Sequence, residues 1–403
     1  MNVSFRRGPE ACEPGRVHER LRVLVGSLAD GALPVISDEP PAGTVLIDLG
    51  PDHPSHAGLI ELRLWTRSGV VTSAQVVIGA MHRGVEKLFE VRDYTQILML
   101  ADRHDWHAPF FGELAVALTA ERLMGLTVPD RAVWLRTLLA EHTRILSHSG
   151  FLTWVARRGS TDPGLTRLRE MLRRQTADLT GNRIHPMVNR IGGLAADADA
   201  SWLRAEARVT AEVRTAAGLL LGLIGSDPVA EVTRGVARLD AATVAQYGVS
   251  GPAARASGVD LDLRRQQSYL AYPELADLID LPRSTVGDAQ ARLSLLAEEM
   301  ITSSRLVDAC LERLDGMVGP VAVKLGKIIR LPEGEGYGAV EAPLGIAGVY
   351  LSSRGEKTPW RLKLRTPSFN NIASLESMLV GIEIDSLEAA LASVGYVVGD
   401  IDK

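Results

Sequence analysis

Two stretches of this 403-residue chain repeat apolar residues at helical spacing for many turns. Residues 129–157 carry Leu135, Leu138, Leu139, His142, Ile145 and Leu146 on one stripe. Residues 286–314 carry Leu293, Leu296, Met300, Val307, Leu311 and Leu314. A helix with one apolar stripe is stable only when another element covers it, so two long ones predict a bundle of long antiparallel helices. Shorter helical patterns at 110–125, 164–180 and 200–223 supply partners. The first of them stops at Gly125, with Pro129 just beyond.

The flanks read differently. Residues 45–79 alternate like strands, with Ile60, Leu62 and Leu64 set against Glu61, Arg63 and Trp65, and Ser68-Gly69 placed as a hairpin turn. Residues 17–28 suggest a short helix inside an N-terminal extension, 1–43, that mixes Pro, Gly and charge. From about residue 336 onward strand-like and helical patterns alternate. The expected fold class is α+β: a long-helix bundle, a small N-terminal antiparallel sheet and a mixed C-terminal region, with 44–403 as one domain.

Charge and cysteine usage narrow the functions. A formal net charge of −5 disfavours nucleic acid as the main partner. The chain has two cysteines and no CxxC pair, which disfavours a disulfide framework, structural zinc or a self-ligated iron–sulfur cluster. No run of about 18 apolar residues appears, and the N-terminus lacks the apolar core of a secretory signal. There is no GxGxxG and no GxxxxGK[ST], so dinucleotide or nucleotide phosphate binding by this chain alone is not expected.

The polar residues that stand out are histidines and arginines in loops. "GPDHPSHAG" (50–58) sets His53 and His56 between two strands. "HRG" (82–84) holds His82 and Arg83; "DRHDWH" (102–107) combines acids, Arg103, two histidines and Trp106. The last of these reads as a solvated turn before a helix, with Trp106 in the core. "GNRIHPMVNRIGG" (181–193) places Arg183, His185, Asn189 and Arg190 in an irregular segment. The i,i+3 pairs His53/His56 and His104/His107 would share a helix face, yet no cysteine accompanies them and no metal site is expected. None of these sets shows nucleophile–base logic by itself.

Taken in order, these segments resemble one family. "GPDHPSHAG", "IGAMHRGVEKLFEVRDYTQ", "LAEHTRILSH", "GNRIHPMVNRIGG", "YGVSGPAARASGVDLDLR", "RLKLRTPSFNNIASL" and "VVGDIDK" look like the D (49 kDa) subunit of type I NADH:quinone oxidoreductase, respiratory complex I. The resemblance covers roughly residues 45–403. It implies the fold of the nickel–iron hydrogenase large subunit, without the CxxC pairs that hold nickel. It also implies a quinone-reduction cavity shared with a B subunit, whose terminal [4Fe–4S] cluster delivers the electrons. Partners would include C and I-type subunits and the membrane arm, with the chain peripheral on the cytoplasmic side of the cell membrane. This chain would bind no cofactor itself. A quinone, menaquinone among the candidates, would be substrate.

Residue by residue, the family's first loop histidine, in GPQHPxxHG, corresponds to His53. Its headgroup histidine falls on Ala57, with His56 one place early. The family tyrosine on the other side of the headgroup corresponds to Trp106, whose indole N–H donates but carries no transferable proton comparable to a phenol's. The family's cluster-facing arginine and histidine correspond to Arg103 and His185, and His82 and Arg83 match "HRG". The member is thus divergent at the headgroup positions. The altered positions keep open a structural or assembly paralog with weakened quinone chemistry, or a related complex with a donor other than NADH.

Overall fold

A computed structural model describes residues 22–27, 45–48, 60–159, 163–280 and 283–403. Its centre is helical. Helix α4 (Asp130–Phe151) and helix α12 (Ala289–Leu314) pack along each other, and α7 (Ala200–Gly225) packs against α12. Around them lie α3 (Pro109–Met124), α5 (Thr153–Arg158), α6 (Leu165–Thr180), α8 (Asp227–Thr233), α9 (Ala241–Tyr247), α10 (Gly251–Arg255) and α11 (Leu263–Gln266). The expected stripes are inside: Leu135, Leu138, Leu139 and Ile145 of α4, and Leu293, Leu296, Met300 and Val307 of α12, are buried. Leu146 and Leu311 are half-buried.

The helix expected to run unbroken to residue 157 breaks at Leu152. Two hydroxyls compete for carbonyls there: Ser149 Oγ donates to Leu146 O (2.7 Å) and Thr153 Oγ1 to Gly150 O (2.7 Å). His107 also crowds the site, since a Cβ on Gly150 would lie 3.1 Å from its Nδ1.

α4 is not one-sided. Arg136, Glu141, Arg144 and His148 are as buried as its leucines. Arg136 forks onto Glu121 of α3 (2.8 and 3.0 Å). Glu141 accepts from Arg264 (3.1 Å), Tyr272 Oη (2.6 Å) and Ser303 Oγ (2.6 Å). Arg255 joins Glu299 (2.7 Å) to Glu341 (2.9 Å), and Glu299 also accepts from His148 Nε2 (3.1 Å). An ionic core therefore ties α4, α10, α11 and α12 to the C-terminal sheet.

The N-terminal sheet corrects two expectations. Strands β1 (Arg22–Ser27), β2 (Val45–Asp48), β3 (Glu61–Arg67) and β4 (Val70–Val77) take the order β2-β1-β3-β4. β1 pairs antiparallel to β2 but parallel to β3, so the sheet is mixed rather than antiparallel. The short helix expected at 17–28 is a strand over 22–27, because a short apolar run has no periodicity that separates the two. The β3–β4 turn is as expected: Ser68 and Gly69 sit at φ 52° and 81°, the double positive φ that a type I′ hairpin needs.

The C-terminal region is a three-stranded antiparallel sheet, β7 (Gly334–Ala342), β8 (Gly345–Ser353) and β9 (Arg361–Arg365). It is followed by α13 (Pro367–Met378), α14 (Leu387–Ser393) and α15 (Val398–Ile401). The two-residue strands β5 (Asn189–Arg190) and β6 (Gly193–Leu194) pair antiparallel at the end of the 181–193 segment, and Gly193 also bridges to Ala322. Two short helices, α1 (Val85–Phe89) and α2 (Tyr94–Ala101), connect β4 to the bundle. No single helix among the described residues is long and apolar enough to cross a membrane.

Candidate functional site

The site forms where α2 hands the chain to α3. A capping box at Asp93 starts α2, and Pro109 at the first position of α3 fixes where the next helix begins. Residues 102–108, between the two, are held in a tight turn. The solvated turn expected for "DRHDWH" is not what forms: Asp102, His104 and Asp105 are buried, and Trp106 is half-buried.

Asp102 is the anchor. It is fully buried, and its Oδ2 accepts from the Met187 backbone N–H (3.2 Å). Its Oδ1 lies 3.4 Å from Arg103 Nη1 and contacts His185 Nδ1. Arg103 Nη2 also reaches Met187 Sδ (3.3 Å). Asn182 Oδ1 accepts from the backbone N–H groups of Ile184 and His185, which shapes the turn that delivers the imidazole. Arg103 and His185, far apart in sequence, thus meet on one carboxylate, both half-exposed.

Behind Asp102 sits Glu113 of α3. One of its oxygens accepts from Asn189 N (2.7 Å), and it hydrogen-bonds Asp102. Burial, then the hydrogen bond and charge of Asp102, push the Glu113 carboxyl well above its ordinary range. Of the two carboxyls, Glu113 is the one that its surroundings push toward the protonated form.

On the other side of the turn the chain meets α15. His104 Nδ1 lies 3.0 Å from Asp400 Oδ1, and Asp400 Oδ2 accepts from Ser368 N (3.1 Å). Asp105 accepts from the backbone N–H groups of His107 and Ala108 (both 3.0 Å). Burial first, and then the Asp400 charge, raise its carboxyl to about 7. Trp106 packs directly on Gly399, where a Cβ would lie 2.5 Å from its ring. The indole touches both hydrophobic clusters of the molecule. His107 turns the opposite way, its ring 4.9 Å from that of Phe151. The two imidazoles of the His104/His107 pair therefore face different elements.

His82 and Arg83 stand elsewhere, exposed on the turn after β4. The Asp402 carboxylate fixes that turn by accepting from Gly79 N (2.9 Å) and Met81 N (2.8 Å). His82 lines an open cleft of about 450 Å³ with Glu86, Lys363, Arg365, Phe369 and Lys403. The last residues of the chain thus link the two parts, since Asp400 holds His104 and Asp402 holds the His82 turn. His53 and His56 lie outside the described residues. Sequence reasoning missed Asp102, Glu113 and Asp400. Its one available signal was that "DRHD" carried more acids than a turn needs.

Fold and site together define an α+β bundle protein that presents an acid-held arginine–histidine pair beside a buried acid–base turn. The family model described as the 49 kDa subunit of respiratory-chain NADH dehydrogenase matches residues 164–330 and 322–403. The D 1 subunit of NADH-quinone oxidoreductase from Streptomyces coelicolor is 47% identical over 364 residues, covering 89% of this chain and 95% of the relative. The D 2 subunit from Salinispora tropica is 47% identical over 365 residues, covering 89% and 93%. The D subunit from Carboxydothermus hydrogenoformans is 33% identical over 362 residues, covering 89% and 98%. The chain belongs to the family of D (49 kDa) subunits of NADH-quinone oxidoreductase, respiratory complex I.

Proposed function

We propose that this chain is a peripheral-arm subunit of a proton-translocating NADH:quinone oxidoreductase, where it and a B-type iron–sulfur subunit enclose the cavity in which quinone is reduced. One observation carries the reading: Arg103 and His185, which the resemblance assigns to the same task, are brought together on Asp102. A guanidinium and an imidazole N–H fixed at a surface favour an added electron on a nearby cluster. The cluster belongs to the partner and supplies the electrons. This chain positions charge toward it and orients the substrate.

Trp106 lines the headgroup side in this reading and donates one indole N–H to a carbonyl oxygen. The resemblance assigns the other side to His53 and His56, which lie outside the described residues. His82 and Arg83 lie at the margin near the partner's cluster. B, C and I-type subunits and the membrane arm complete the assembly. The chain itself is peripheral on the cytoplasmic side and carries no cofactor of its own. A second reading, a paralog with weakened quinone chemistry, is favoured by Trp106 at the phenol position.

In the purified complex, Trp106→Ala is expected to raise the quinone KM about fivefold, the value of one hydrogen bond of about 1 kcal/mol. A complex with quinone reductase activity and an unaltered KM in this variant would place the headgroup elsewhere. A complex that assembles but reduces no quinone would support the second reading.

A further inference from the structure

The turn that carries Trp106 also carries more buried acid–base chemistry than packing requires. Asp105, His104 and Asp400 are each more than nine-tenths buried, and they come from two elements far apart in the chain. His104 and Asp400 are directly bonded at 3.0 Å. Asp105 is fixed by two backbone N–H groups and precedes Trp106 in the chain. We propose that Asp105, poised by His104 and Asp400, stores the proton that the Trp106 indole cannot give, and releases it toward the substrate lying against Trp106. This rests on the reading that Trp106 faces the quinone headgroup.

The chemistry balances simply. A quinone takes two electrons, delivered by the partner's iron–sulfur cluster, and two protons. One proton leaves the Asp105 carboxyl, through water, and forms an O–H bond on a quinone oxygen. The second comes from solvent, and solvent then reprotonates Asp105. Asp105 is suited to this, because burial first and the facing Asp400 carboxylate second hold its carboxyl near neutrality, against the opposing pull of His104 and of the two N–H bonds. Arg365 of β9 and Lys403 beyond α15 face Asp400 in turn, so its charge is itself balanced. Asp105 is the proton donor and reaches the substrate through water; His104 and Asp400, bonded to each other, are positioning residues that act through Asp105.

The experiment compares variants in the assembled complex, with iron–sulfur content as the check on assembly. Asp105→Asn keeps an acceptor for the two N–H groups. It is expected to lower kcat at least about tenfold near pH 7 and leave the quinone KM within about twofold. The wild-type kcat should fall as pH rises through about 7, and this limb should vanish in Asp105→Asn. Adding Trp106→Tyr should restore most of the lost kcat, because a phenol again offers a proton. Should Asp105→Asn fail to assemble, Asp400→Asn serves: removing its charge should move the limb to lower pH. An unchanged kcat and limb in Asp105→Asn, or an unmoved limb in Asp400→Asn, overturns the proposal. If Trp106→Ala still raises the quinone KM in that case, the headgroup reading survives. If it does not, that reading has failed on its own terms.

Discussion

Arg255→Met is expected to destabilise the chain by about 3–5 kcal/mol, the cost of leaving buried charges without their partner. The Arg255 guanidinium bonds Glu299 through Nε and Nη2 (3.0 and 2.7 Å), and Glu341 and Leu261 O through Nη1 (both 2.9 Å). Asp262 lies 3.2 Å away. Methionine would fill much of the volume and satisfy none of these oxygens. Burial pushes the Glu299 carboxyl up, but Arg255 and then the His148 hydrogen bond outweigh it and hold it far below its ordinary range. Burial is likewise outweighed at Glu141, by Arg144 and Arg264, and at Asp262, by Arg264 and Arg255. Lowered folded-state values mean that this stability is present above the unfolded carboxylate range, about pH 4–4.5, and is lost as pH falls through the folded values. Urea unfolding followed by circular dichroism measures both effects. A loss below about 1 kcal/mol for Arg255→Met would show that the ionic core does not tie the bundle to the C-terminal sheet.

Asp102→Ala is the largest functional effect expected. The carboxylate holds Arg103, His185 and the Met187 backbone together, and alanine releases all three. Outer groups that orient residues around a metal centre typically cost about 10–100-fold when removed. Quinone reductase turnover of the complex should fall on that order while its iron–sulfur content stays constant. Glu113→Gln should cost far less, since a glutamine keeps the shape, its oxygen still accepts from Asn189 N, and its amide can donate toward Asp102. Equal losses in the two variants would mean that the whole buried cluster acts through fold stability rather than through the Arg103–His185 pair.

The long helices were legible because their apolar stripes repeat over many turns, and two of the neighbouring helices stop at Gly125 and Gly181. The ionic core was not. Arg144, Glu141 and His148 occupy the polar face of α4 in any periodic reading, and a polar face is ordinarily solvated. They are buried because Arg264, Arg255 and Glu299 arrive from sequence segments far away, which no local pattern records. Strand β1 was hidden for a related reason, since its parallel partner β3 lies across a long connection. At the site, the resemblance singled out Arg103 and His185 one at a time. Their common anchor on Asp102 is a tertiary fact. The same holds for His104, whose partner Asp400 lies almost at the end of the chain.

The most direct measurement is to purify the assembly from cells through a tag on this chain. Its reduced iron–sulfur signal is then recorded by electron paramagnetic resonance, and quinol formation is followed when NADH is added. A B-type iron–sulfur protein should co-purify, its cluster should be reduced by NADH, and quinol should appear at the rate at which NADH is consumed. Recovery of the chain without an iron–sulfur partner, or a cluster that NADH reduces but quinone does not reoxidise, would contradict the assignment.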